Sequence, residues 1–341
     1  MSRIFRNAFM FAAASWCATF CAALCATFCA AIAPAFAQAP AAFPAKPIRL
    51  ITLTPAGGAL DILARTLAQK ISEQMGQQVI VENRVGGGGN IGAEVVAKSA
   101  PDGYTIGMVT SSTHGINPSL YGAKMPFDAI RDFSPITIAA ELKNVVVVNP
   151  AVPAKNMQEL VAHARANPGK VAFGSAGAGT SQHLAGEMVK MITQTDMVHV
   201  PYKGAAQAIP DLLSGQIQLM FVSIPDAIAH IRSGRLRAIG ITSLARSTAL
   251  PDQVPVAEQG FPGFDVRAWF GVVAPAGTPR DIVNRYNQVI VAALSQPEVR
   301  ERLTGIGLDP VTLSPEQFAA FIREEIAKWA PVVKASGARV D

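Results

Sequence analysis

The chain is expected to fold as an α/β protein of two lobes, each a mainly parallel sheet flanked by helices. Three observations predict this. Strand-like and helix-like runs alternate from Ile48 onward, and a second such series begins after the four valines 145–148. Three glycine-rich stretches, at 55–61, 86–92 and 174–183, each lie where a strand-like run gives way to a helix-like one. The third observation is size: about 300 residues follow the N-terminal apolar segment, and a core of that size tends to divide.

Residues 48–54 read as a strand, followed by Leu60, Leu63, Ala64, Leu67, Ala68, Ile71 and Met75 at helical spacing, with Gly76 as the stop. Residues 79–82 read as a second strand, 91–98 as a short helix and 105–109 as a third strand. The valines 145–148 suit a fully buried strand. Beyond them, helices at about 157–166, 183–193, 205–214 and 226–233 separate strands at 171–174, 198–200, 218–222 and 236–242. An apolar run at 266–274 precedes Thr278, placed to cap a helix with Pro279 at its first position. Helices at 280–294, 297–304 and 315–335 follow, the last opened by Ser314-Pro315 with Gln317 as capping-box partner. The tail is expected to return to the first lobe. Lobe 1 is therefore 44–144 plus 268–341 and lobe 2 is 145–267, with a ligand cleft between them and a hinge at the two crossings.

At the N-terminus, Arg3 and Arg6 precede an uncharged stretch that ends in Ala35-Phe36-Ala37, a signal-peptidase pattern. Residues 1–37 read as a cleaved signal peptide, which makes Gln38 the mature start and the periplasm the destination. An uncleaved anchor is the rival reading, because an apolar run of this length can span a bilayer. All four cysteines, Cys17, Cys21, Cys25 and Cys29, fall in this segment. The mature chain then has no disulfide, no thiol nucleophile and no thiolate metal site. Removing two arginines and no acids lowers the formal charge from +5 to +3, and the basic residues are scattered, which argues against a nucleic-acid partner.

Glycine loops at helix starts bind anions, because the first backbone N–H groups of a helix lack intrahelical partners and the dipole is positive there. Gly87-x-Gly89-x-x-Gly92 matches a dinucleotide fingerprint, but extra loop separates it from its strand and it sits on the second βα unit. It reads as a structural turn near the mouth of a cleft. In the first loop Ala56, Gly57 and Gly58 leave the backbone open to a carboxylate, while Asp61 in the first turn is either a partner of free N–H groups or part of the site. The third loop offers Ser175, Gly179, Thr180, Ser181 and His183; one of Thr180 and Ser181 caps the helix and the other is spare. His183 is either a donor to a bound anion or a satisfied surface histidine. Ser111 and Ser112 follow the third strand, Tyr202, Lys203 and Gly204 follow the strand at 198–200, and Asp226 reads as a helix cap that also faces the cleft.

Catalytic and metal sites find little support. Phe173 stands where a Gly-x-Ser-x-Gly elbow needs glycine, and no nucleophile–base pair is apparent. The five histidines show no ligand spacing, so no metal and no cofactor is expected.

The ordered motifs P-A-G-G-A-L-D (55–61), V-E-N-R-V-G-G-G-G-N-I-G (81–92), N-P-S-L-Y (117–121), G-S-A-G-A-G-T-S-Q-H-L-A-G-E (174–187), V-P-Y-K-G (200–204), L-L-S-G-Q-I-Q-L-M-F (212–221) and A-P-A-G-T-P (274–279) run through nearly the whole mature chain. In them the chain resembles the Bug-type solute receptors of tripartite tricarboxylate transporters. The resemblance implies a periplasmic binding protein of the type II class that closes like a flytrap on a small carboxylate. It also implies a monomer without catalysis that delivers its ligand to the permease subunits. By position, the 55–58 loop would face Ser175, Thr180, Ser181 and His183, with Tyr202, Lys203 and Gly204 in the same pocket. Val85 and Gln218 depart from the family pattern, at a turn and at the approach to a strand. A sensor for a membrane signalling partner and an exported enzyme on the same scaffold are the alternatives.

Overall fold

The computed structural model describes residues 43–202 and 204–338. The signal-peptide reading of 1–37, the four cysteines and Lys203 lie outside the described residues. No described helix is long and apolar enough to cross a membrane.

The first parallel unit is β1 (Ile48–Thr52), α1 (Ala59–Met75), β2 (Val79–Asn83), α2 (Asn90–Ala97) and β3 (Thr105–Thr110), in which β1 pairs with both β2 and β3. The same plan recurs in β5 (Val171–Ser175), α5 (Ser181–Thr193), β6 (Met197–Pro201), α6 (Ala205–Ser214) and β7 (Leu219–Ser223), with β5 between β6 and β7. The helix α4 (Met157–Ala166) precedes this second unit, and α7 (Ile224–Arg232) and β8 (Arg237–Ile241) follow it.

Two long strands join the units. β4 (Phe133–Val148) pairs along its first part with β9 (Arg267–Pro275) and β10 (Leu308–Pro310), and along residues 144–148 with β7 and β8. The strand order is β2-β1-β3-β9-β4-β7-β5-β6, with β10 and β8 also on β4. Parallel pairing thus holds within the βαβ units, while β4 and β9 add antiparallel pairs because they run against those units. Asn144, at the changeover in β4, is fully buried, and neither side-chain polar atom has a partner among the described residues.

The core follows this plan. Leu50, Ile51, Leu63, Leu67, Met108 and Trp269 belong to a cluster around the first unit. In the second unit the four valines are fully buried, with Val146 and Val148 in one cluster and Val145 and Val147 in another, so both faces of the strand are covered.

Several elements differ from expectation. The strand begins at Phe133 rather than at 145, because pairing with β9 and β10 holds a polar stretch containing Glu141, Lys143 and Asn144 extended. Residues 112–121, whose sequence gives only a turn signal, wind into a wide turn and the short helix α3 (Asn117–Tyr121). Thr278 does not cap α8 (Arg280–Ser295): its hydroxyl donates to Pro275 O at 2.7 Å, which closes the preceding turn instead. The helix α9 (Pro297–Gly305) follows, and α10 (Pro315–Ser336) opens with the expected capping box, Gln317 N donating to Ser314 Oγ and Ser314 N to Gln317 Oε1. This last helix reaches beyond the first unit. Phe318 and Ile322 join the first core, whereas Trp329, Val332 and Val333 pack with Ile116 in the second.

Candidate functional site

In open α/β sheets, ligand crevices form beyond the carboxyl ends of parallel strands where neighbouring connections diverge. A cavity of about 240 Å³ lies at such a place. Leu53 and Thr54 reach it from the end of β1, Gly88 and Gly89 from the loop after β2, and Thr110, Ser111 and Ser112 from the end of β3. From the second unit come Thr180, Ser181 and Gln182 at the start of α5, and from β9 come Ala268 and Phe270.

The α5 end is well defined. Thr180 is the cap residue: its Oγ1 accepts from His183 N and donates to Gly177 O at 2.7 Å. Ser181 is therefore the spare hydroxyl. It is only 5% exposed, Ser111 on the other side is only 3% exposed, and among the described residues neither hydroxyl has a hydrogen-bond partner. The Thr54 hydroxyl is buried and unpartnered as well. Thr54 thus contributes a buried hydroxyl without a partner, and the Ser111 and Ser181 hydroxyls line the same cavity without a partner among the described residues, so the three form a set of donors available to an acceptor.

The glycine loop at 87–89 had the smallest share in a site on sequence grounds, yet Gly88 and Gly89 line this cavity. Asn117 Nδ2 donates to Gly88 O at 3.4 Å and to Asn90 Oδ1 at 2.8 Å, and Tyr121 OH donates to Gly87 O at 3.2 Å. A side chain at Gly89 would stand 2.8 Å from Thr113 Cγ2, so glycine is needed for the loop to lie this close.

Other expected residues lie beside the cavity or away from it. Asp61 is buried, its Oδ2 accepting from Gly57 N and Arg65 Nε at 2.9 Å each and its Oδ1 from Asn83 Nδ2 at 2.8 Å. Burial alone would raise this carboxyl, but the hydrogen bonds from Arg65, Gly57 and Asn83 outweigh it and hold it low. Asp61 thus anchors the loop, and it already holds the Gly57 N–H; Ala56, Gly57 and Gly58 are exposed. Asp226 is not the cap of α7. Ser223 is in the cap position, and its hydroxyl donates to Asp226 Oδ2. Tyr202 OH donates to Asp211 Oδ2 at 2.7 Å; burial first, then this carboxylate, push the phenol up to about 12. Gly204 is the residue before α6, at φ 120°. Gln218 finds its own partners, accepting from Ala172 N at 2.8 Å and donating to Gly215 O at 3.1 Å.

Behind the α5 loop lies an arrangement that the sequence did not disclose. His183 is buried rather than at the surface, and its ring stacks on His199 with centroids 3.8 Å apart. Gly179 N donates to His183 Nδ1 at 3.0 Å, which places that ring's proton on Nε2, 3.8 Å from Glu187 Oε1. Ser175 Oγ and His199 Nε2 share a hydrogen bond of 2.7 Å, and Ser175 also accepts from Gly177 N at 3.1 Å. Burial, then the neighbouring His199 and Lys190, push His183 down to about 3; burial and Lys190 push His199 down to about 4. A hydroxyl–imidazole pair is thus present; Ser175 is fully buried and is not among the residues lining this cavity. Among the described residues no group of three or more His, Cys, Asp or Glu side chains is placed to hold a metal.

The sequence order already placed Ser111 and Ser112 after a strand and Thr180 and Ser181 at a helix start. Thr110, Gln182, Ala268 and Phe270 also line the cavity; Phe270, an aromatic that the sequence suggests as hinge core, comes beside Thr110 through the pairing of β3 with β9, and His199 meets His183 by stacking behind the loop.

Known proteins share this architecture. Residues 63–338 match the family described as Tripartite tricarboxylate transporter family receptor. Protein BugT of Bordetella pertussis is 38% identical, over 87% of this chain and 91% of its own. A solved structure described as a periplasmic transporter is 42% identical and covers 88% of this chain and 100% of its own, with a TM-score of 0.73. An R. palustris protein with adipate is 33% identical over 87% of this chain and 100% of its own, with a TM-score of 0.74. MatC from Rhodopseudomonas palustris with bound malate is 30% identical over 85% of this chain and 100% of its own, with a TM-score of 0.70.

Proposed function

Because this chain belongs to the tripartite tricarboxylate transporter receptor family, we propose that it captures a small carboxylate in the cavity between its two βαβ units and presents it to the permease subunits of such a transporter. The observation that carries the reading is that the nearly buried Ser111 and Ser181 line one cavity from different units, with hydroxyls that have no partner among the described residues. Thr54, Ser112 and the first N–H groups of α5 add further donors. Hydrogen bonds to a charged acceptor contribute about 1.5–3 kcal/mol each, and micromolar affinity needs about 8 kcal/mol after ordering costs, so roughly five or six such donors suffice without an ion pair.

In this reading 44–144 plus 268–341 and 145–267 act as two lobes that close on the ligand. β4 and β9 are the crossings and α10 is packed against both cores. Closure would exclude water and give the permease a form to distinguish from the empty receptor. The protein acts as a periplasmic monomer after loss of residues 1–37, and it performs no chemistry on its ligand. Adipate and malate in the R. palustris structures support a carboxylate as cargo. Mass spectrometry of gently purified protein, with thermal shifts across mono-, di- and tricarboxylates, tests the reading. A bound or stabilising acid supports it, and the absence of any such acid refutes it.

A further inference from the structure

The donors of the cavity among the described residues are all neutral. Among the described residues its lining carries hydroxyls, one amide and glycine backbone, but no charged side chain. The nearest carboxylate of the first loop, Asp61, already holds three partners. The rest of the lining is apolar: Ala268 and Phe270, two residues apart and so on one face of β9, together with Leu53 at the end of β1. Phe270 sits directly beside Thr110 in the register of β3 against β9, so aromatic surface adjoins the serines that follow that strand.

A single carboxylate matches such a cavity, since neutral donors and a helix start can solvate one negative charge. A second or third carboxylate would have to share the same neutral donors, with no cation in the described lining to offset its charge, or lie against Leu53, Ala268 or Phe270, where nothing replaces the water it loses. The reverse holds for an apolar body, which gains by leaving water for that same surface. Resting on the receptor reading above, we infer that this cavity selects acids with one carboxylate and an apolar body, aliphatic or aromatic, over small hydroxylated di- and tricarboxylates. The carboxylate lies at Ser111 and Ser181, and the body lies on Phe270 and Leu53.

Isothermal titration of the purified protein, dialysed free of bound acid, tests this with hexanoate, benzoate, malate and citrate as probes. Hexanoate or benzoate is expected to bind at least about tenfold more tightly than malate and citrate. Phe270→Ser is expected to weaken benzoate by about fivefold or more, and Phe270→Leu, which keeps the packing volume closer, to weaken it less. If malate or citrate binds as tightly as the monoacids, the selectivity inference is overturned while the receptor reading stands. If none of the four acids, nor any acid in the wider panel, binds, the receptor reading falls and the inference falls with it.

Discussion

Removing one oxygen atom by Ser181→Ala separates binding from folding at this site. Ser181 is nearly fully buried, yet among the described residues its hydroxyl has no protein partner, while the adjacent Thr180 hydroxyl accepts from His183 N and donates to Gly177 O. The folded protein therefore loses no internal hydrogen bond in Ser181→Ala. The bound state loses one charge-assisted bond of about 1.5–3 kcal/mol, which corresponds to a rise in Kd of roughly 10- to 150-fold. Thr180→Ala removes the helix cap and is expected to lower stability by about 1 kcal/mol, with a smaller direct effect on affinity. Titration calorimetry with whichever acid binds best gives the first quantity and urea unfolding gives the second. The reasoning is refuted if Ser181→Ala leaves Kd unchanged, or if it destabilises the ligand-free protein as much as Thr180→Ala does.

Three further outcomes follow from the buried groups. His114, His183 and His199 are held down to about 3, 3 and 4, the first by burial alone, so below their ordinary value near 6.5 the unfolded chain takes up protons that the folded chain refuses. Stability is thus complete above about pH 6.5 and falls as the pH drops toward about 4, by at least ~2 kcal/mol at about pH 5; urea midpoints at the two ends check it, and a flat profile contradicts it. Glu325 Oε2 accepts from both Trp269 Nε1 at 2.9 Å and Trp329 Nε1 at 3.2 Å, and its other oxygen pairs with Lys328. Glu325→Ala should cost about 3 kcal/mol by leaving these donors without an acceptor, and loss of tryptophan fluorescence order at lower urea would show it. Gly186→Ala would place a methyl group 2.2 Å from the Phe173 ring, so it should destabilise by about 1–3 kcal/mol in the same assay.

Elements set by local pattern could be read from the sequence, and those set by distant partners could not. The spacing from Leu60 to Met75, the four buried valines and the Ser314/Gln317 capping box are local signals, and each appears in the structure where the residues indicate. The first part of β4 is polar and mixed, and it becomes a strand only because β9 and β10 flank it. The three residues of β10 are too few to show a period. At the site, the choice between Thr180 and Ser181 as cap was narrowed to two by residue type and decided by geometry. The fingerprint glycines were set aside as a turn, which they form; that the turn borders the cavity follows from Asn117 and Tyr121, some thirty residues away, drawing it inward. The two stacked histidines lie on β6 and α5, and no spacing within the sequence brings such rings together.

A crystal structure of the protein soaked with its tightest-binding acid tests the central claim most directly. The account predicts density for one carboxylate within hydrogen-bonding distance of both Ser111 Oγ and Ser181 Oγ, with the remainder of the ligand against Phe270. Density for the acid elsewhere, or a carboxylate held by a charged side chain with both serines idle, would contradict it.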